Sequence, residues 1–158
     1  MAEGEGARDA RFHDADGRAL RLWATDADDL QVISALCQDA VLPASEMRWS
    51  ARRREASFLL NRFRWEHGAR RPERVRSVLT LGDVASMRGQ GVAPGDPDTV
   101  LSLLALEWEP GAEGAGVLRL LFAGDGVAEA ACDCLDARLA DVTRPYAAPS
   151  GRAPGHPD

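Results

Sequence analysis

Apolar positions along the chain switch between two spacings. Leu20-Arg21-Leu22-Trp23-Ala24 alternates and predicts a short strand. Leu30, Ile33, Cys37, Ala40 and Val41 then recur at helical spacing. Ahead of them, Thr25 is a capping residue with Asp28 three positions on, and early aspartates suit the positive end of a helix. Pro43 stops the run. The pattern predicts a helix over 26–41.

The period then shortens to two. Strands are expected over 47–52, 56–66 and 74–81, with a polar turn at Arg52-Arg53-Arg54-Glu55 and a further short strand over 84–87. Residues 89–98, rich in Gly and Pro, read as a loop. The apolar run 100–109 fits a buried strand, or a short helix followed by a strand. Segments 117–122 and 127–132 flank Gly124-Asp125-Gly126, a hairpin signal. Cys132, Leu135, Leu139 and Val142 return to helical spacing and predict a closing helix over 133–142. Short links favour antiparallel pairing. The expected fold is α+β: an antiparallel sheet or small curled barrel of about six to seven strands, with an N-terminal helix and a C-terminal capping helix. By element order alone it is similar to pleckstrin-homology-like barrels. One domain over 19–143 is expected between disordered tails at 1–18 and 144–158, the second carrying Pro145, Pro149, Pro154 and Pro157.

Composition narrows the class. At 158 residues, 45% hydrophobic and 28% charged, the chain is neither wholly disordered nor a disulfide scaffold. No apolar run approaches the ~18 residues of a membrane helix. Met1 to Gly6 lacks the basic and apolar regions of a secretory signal, and the three cysteines, Cys37, Cys132 and Cys134, have no framework spacing. The expectation is a cytoplasmic protein with no membrane association.

Candidate chemistry is sparse. His13 and His156 fall in the expected tails and His67 in a turn, none beside a plausible nucleophile. Cys132-Asp133-Cys134 is a C-x-C without zinc spacing. Gly89-Gln90-Gly91 and Gly124-Asp125-Gly126 lack the fingerprint of phosphate loops. No catalytic residue, metal or cofactor is expected. Trp23, Trp49, Trp65 and Trp108 all lie in strand candidates, where core packing is the commoner fate of such rings and a ligand cage the rarer one.

Several segments carry a resemblance. Asp28 to Ala35 (DDLQVISA), Gln38 to Val41 (QDAV), Leu60 to Glu66 (LNRFRWE) and Cys134 to Asp141 (CLDARLAD) are similar to an uncharacterised family of alphaproteobacteria known only as a domain of unknown function. The resemblance spans about Leu20 to Val142. It implies a cytoplasmic bacterial protein and carries no activity or catalytic residues with it.

Charge supplies the remaining signal. The net charge is −6 and every one of the 19 bases is Arg. An acidic whole disfavours a general nucleic-acid coat. Yet ten Arg and three Glu fall within 48–76. A hairpin centred near Ala69 sets Arg62 opposite Arg76 and Arg64 opposite Arg74, one patch of four guanidinium groups. Either Glu107 and Glu109 neutralise that patch as a surface ladder, or it receives an anionic partner, for which the planar donor fork of Arg is suited. The expected function is a small non-catalytic accessory or regulatory module that binds a protein. The alternatives are an RNA- or phosphate-ligand-binding module using the Arg-rich hairpin, or an enzyme whose site is assembled from scattered residues.

Overall fold

A computed structural model describes residues 19–67, 73–92 and 95–147. The chain runs β1 (Arg21–Ala24), α1 (Ala27–Cys37), β2 (Val41–Pro43), β3 (Met47–Ser50), β4 (Glu55–Phe63), β5 (Glu73–Leu81), β6 (Val84–Gln90), β7 (Val100–Pro110), β8 (Gly116–Phe122), β9 (Val127–Cys132), β10 (Ala137–Asp141) and the two-residue β11 (Tyr146–Ala147). Every strand pair is antiparallel. The strands follow the order β1-β10-β5-β4-β2-β7-β8-β9-β6, with β11 beside β5 and β3 beside β4. This sheet is open, ending at β1 and β6.

The expected six to seven strands with a helix at each end are therefore corrected. Among the described residues there are eleven strands and a single α-helix, and the analogy to a barrel closed by a C-terminal helix does not hold. The segment expected as the closing helix is a turn followed by β10, which lies between β1 and β5. Leu135, Ala137, Leu139 and Asp141 are its buried positions, a period of two. The period is disguised because one inward residue is an aspartate, while Val142, which completed the helical spacing, is 54% exposed.

α1 is shorter than its apolar spacing predicts. Its N-cap is Asp26, one residue beyond Thr25, whose side chain accepts from the Asp29 amide at 2.8 Å. It ends at Cys37, and Asp39 turns the chain with a φ of 66°. Ala40 and Val41 fit the helical spacing, but the sheet takes them: Ala40 O accepts from Leu103 N, and Val41 pairs with Ser102. The helix packs its buried face against β7, β1 and β4. The strand over 73–81 and the β8–β9 hairpin match their expected positions, whereas the strands expected over 47–52 and 56–66 end earlier, at Ser50 and Phe63, and Trp65–His67 form a 3-10 turn. The 100–110 run is one strand. The expected tail at 1–18 lies outside the described residues, as do 148–158, whereas Tyr146 and Ala147 pair with Arg74 and Glu73.

Candidate functional site

The four arginines of the mid-chain hairpin do not share a patch. β4 and β5 pair Asn61 with Arg76, Arg62 with Val75 and Phe63 with Arg74, one residue away from the expected register. A one-residue slip reverses which face each side chain takes. Arg62 therefore continues the inward row Ala56, Phe58, Leu60 and is fully buried, while Arg76 is exposed on the outer face. Arg74 is half-buried, its Nη1 donating weakly to Asn61 O at 3.4 Å. Arg64, just past the end of β4, is buried with Arg62.

Burial makes Arg62 the centre of a network. Its Nη1 and Nη2 donate to Glu66 Oε1 and Oε2, both at 2.8 Å, a bidentate pair. Nη2 also donates to Asp141 Oδ1 at 3.0 Å, Nε to Ser77 Oγ at 3.0 Å and Nη1 to Phe63 O at 3.3 Å. A guanidinium has five N–H donors, and all five are used, so Arg62 has none to offer a ligand. Asp141 accepts in addition from Ser77 Oγ at 2.7 Å and Leu20 N at 2.9 Å. Arg64 Nη1 meets Glu73 Oε1 at 2.5 Å. The acids that answer this cluster are thus Glu66, Glu73 and Asp141, not Glu107 and Glu109.

The electrostatics agree with the geometry. Burial opposes the Arg62 charge, but Glu66 and Asp141 outweigh it and hold the guanidinium protonated even more firmly than usual. Burial also opposes the Glu66 charge, yet Arg62 keeps that carboxyl below its ordinary range. Cys37 is buried beside these groups; burial pushes its thiol up to about 12, with Arg62 opposing and Asp141 and Glu66 adding to the rise. Such a thiol stays protonated and unreactive at neutral pH.

A surface ladder does exist and includes the expected Glu109, but it pairs with arginines other than the four of the hairpin and does not include Glu107. Glu109, Arg119, Glu129 and Arg88 link across β7, β8, β9 and β6 at 2.6, 2.6 and 2.7 Å. Among the described residues, no group of three His, Cys, Asp or Glu is placed to hold a metal ion, and no helix is long and apolar enough to cross a membrane.

The sequence reading missed a second feature, where β3 meets β6. Val84 N donates to Arg54 O at 2.9 Å and joins the start of β6 to the β3–β4 turn. An ion pair between Arg54 and Asp133 reinforces that end. Beyond it the strands part. Among the described residues, β3 pairs only with β4 and β6 only with β9, leaving a backbone edge of each unpaired. A cleft of about 220 Å³ lies between them, floored by Met47, Trp49, Phe58 and Met87 and rimmed by Arg48 and Arg88. Trp49 opposes the fully buried Ala56 and so points to the core side, yet it is 43% exposed. Among the described residues, no element covers it. Trp23, on β1, is also exposed, its indole donating to Asp136 Oδ1 at 2.7 Å with Arg138 over its ring. Core burial, the commoner fate, is thus not that of either ring. The available signal for the cleft was Arg48-Trp49 in a strand; the partner strand β6 is longer than its spacing predicts.

A protein family of unknown function, DUF2948, matches residues 20–156. The chain belongs to that family. The match spans the whole described sheet, the buried Arg62 network and both walls of the cleft. No curated protein and no solved structure matches the chain.

Proposed function

We propose that this DUF2948 chain is a non-catalytic protein-interaction domain that receives an extended segment of a partner between β3 and β6. The observation that carries the reading is Trp49, core-facing by register and uncovered, between two unpaired strand edges. Exposed edges of this kind are a template for strand addition, which proteins otherwise blunt or cover. The accessory or regulatory role, the cytoplasmic location and the alphaproteobacterial origin implied by the motif resemblance belong to the same proposal. The test is selection from a random peptide display library, followed by hydrogen exchange on the bound protein. Protection of the 47–50 and 85–90 amides by the enriched peptides supports the reading; protection confined to other strands overturns it.

A second reading keeps the RNA- or phosphate-binding alternative, with Arg74 and Arg76 as its residues. These two lie on the outer face of β5 with no carboxylate partner among the described residues. Binding to a fluorescent RNA oligonucleotide that falls steeply with salt, and less steeply in Arg74→Ser/Arg76→Ser, would favour it.

A further inference from the structure

The register of the two cleft strands specifies a sequence pattern for the guest. In β3, Met47 and Trp49 oppose Phe58 and Ala56 on the core side, and Arg48 opposes Ser57 on the outer side. In β6, Met87 opposes Ala130 on the core side, and Arg88 opposes Glu129 on the outer side. Side chains of a strand laid between them alternate in the same way. Its inner residues come to rest over Met47, Trp49 and Met87. Its outer residues come between Arg48 and Arg88.

At that outer face the cleft itself presents arginine, while the nearby acids Glu46 and Glu129 lie outside its lining. Among the described residues, the cleft is lined by those two arginines and by no carboxylate. The Arg48 side chain is 72% exposed and, among the described residues, reaches only Glu46, at 3.6 Å. The Arg88 side chain is 83% exposed, and its partner Glu129 is shared with Arg119. Opposite charges on cross-strand neighbours stabilise pairing and like charges oppose it. Resting on the proposed cleft function, we infer that the guest is an extended segment of another protein in which apolar residues alternate with acidic ones. β6 of a second copy carries Arg88 and no acid, so adding it here would bring a further like charge to this face. Residues 1–18 of the chain carry Glu3-Gly4-Glu5-Gly6, acidic but without apolar residues between.

The test uses three capped peptides of about ten residues, a length near the upper end of ordinary strands. One alternates Val and Glu, one alternates Val and Gln, and one is the Val/Glu peptide with N-methylated valines, which cannot donate along one edge. Binding to the full chain is read by fluorescence anisotropy. The Val/Glu peptide is expected to bind about tenfold more tightly than Val/Gln, the scale of two exposed ion pairs. That preference should vanish in Arg48→Ser/Arg88→Ser and shrink in about 0.5 M salt. Both positions are exposed, and circular dichroism checks that the variant folds. The N-methylated peptide should bind far more weakly. Equal binding of Val/Glu and Val/Gln overturns the acidic preference and leaves the cleft function standing. Failure of both, with the β6 amides unprotected, removes the cleft function as well. Undiminished binding of the N-methylated peptide overturns strand pairing. A dimer whose β6 amides are protected before peptide is added assigns the cleft to a second copy. Binding seen only after deletion of residues 1–18 assigns it to the chain itself.

Discussion

Arg62 and Asp141 lie 79 residues apart in the chain and 3.0 Å apart in the fold. Arg62 stands near the end of β4 and Asp141 at the end of β10, with β5 between them. Ser77 of β5, which pairs with Asp141 in register, bonds to both. Leu20 N binds the other Asp141 oxygen and draws in the residue before β1. One polar knot thus ties four consecutive positions of the sheet, β1-β10-β5-β4, and fixes their mutual register. A purely apolar interface would tolerate sliding more readily.

The knot predicts an asymmetric mutational response. Arg62→Met leaves Asp141 buried without its cation and Glu66 with only the more distant Arg64, at 3.8 Å, and losing one partner of a buried pair costs about 3–5 kcal/mol. Arg62→Lys should also be costly, because an ammonium has three donors where five acceptors wait. Adding Glu66→Leu to Arg62→Met removes one of the two stranded carboxylates and should recover part of the loss. Urea unfolding of the three variants checks this. A double variant no more stable than Arg62→Met would show that the buried Glu66 charge is not a source of the cost.

Glu66 makes stability depend on pH in a defined direction. Its folded carboxyl titrates below its ordinary range, because Arg62 outweighs the burial that acts the other way. Between the folded and unfolded values the unfolded chain binds the extra proton, so stability rises with pH. The contribution is fully present above the ordinary carboxylate range and is lost as pH falls through the lower folded value. The urea midpoint should therefore drop as pH falls from about 5 towards 2, and drop less in Glu66→Gln. Equal slopes in the two proteins would refute the assignment to Glu66.

The same knot explains what was legible in the sequence. Strands whose inward rows are apolar, such as Leu118, Leu120 and Phe122 in β8, declare their period without help. Asp141 breaks the inward row of β10 and lets Leu135 and Leu139 pass for a helix face. Arg62 breaks the inward row of β4 after Ala56, Phe58 and Leu60, so by its spacing it reads as a surface residue. The hairpin itself was readable, but its register was not: a slip of one residue between β4 and β5 decides whether Arg62 faces Glu66 or solvent. The cleft was hidden for a different reason. β3 and β6 meet only through the order of the whole sheet, which no local spacing encodes.

The three thiols should separate cleanly. Cys37 and Cys132 are buried, with burial raising them to about 12 and about 11. Cys134 is exposed, and its thiol is raised chiefly by its hydrogen bond to Asp83, at 3.1 Å. An aromatic disulfide reagent at about pH 8 should modify one cysteine in the folded protein, more slowly than a free thiol, and all three after unfolding. Cys134→Ser should abolish the folded-state reaction. A reactive thiol remaining in that folded variant would place Cys37 or Cys132 within reach of solvent.

Ser34 is the last test, because it joins the helix to an irregularity in the sheet. The β7–β8 register shifts between Leu103 and Ala105, leaving Leu104 as an extra residue that is partly exposed. Such a bulge leaves ladder groups without their regular partners. The buried Leu106 N–H donates across to Ser34 Oγ at 2.9 Å, so a hydroxyl on α1 is its acceptor. Ser34→Ala preserves helix propensity and nearly preserves volume, but strands that donor, at a cost of about 1–3 kcal/mol. Ser86→Ala, on exposed β6, should stay within about 0.5 kcal/mol of the parent. Urea unfolding compares the two, and amide exchange at Leu106 should accelerate only in Ser34→Ala. If Ser34→Ala matches the control in both measurements, the bulge is held by β7 and β8 alone and the helix rests on the sheet through apolar contact.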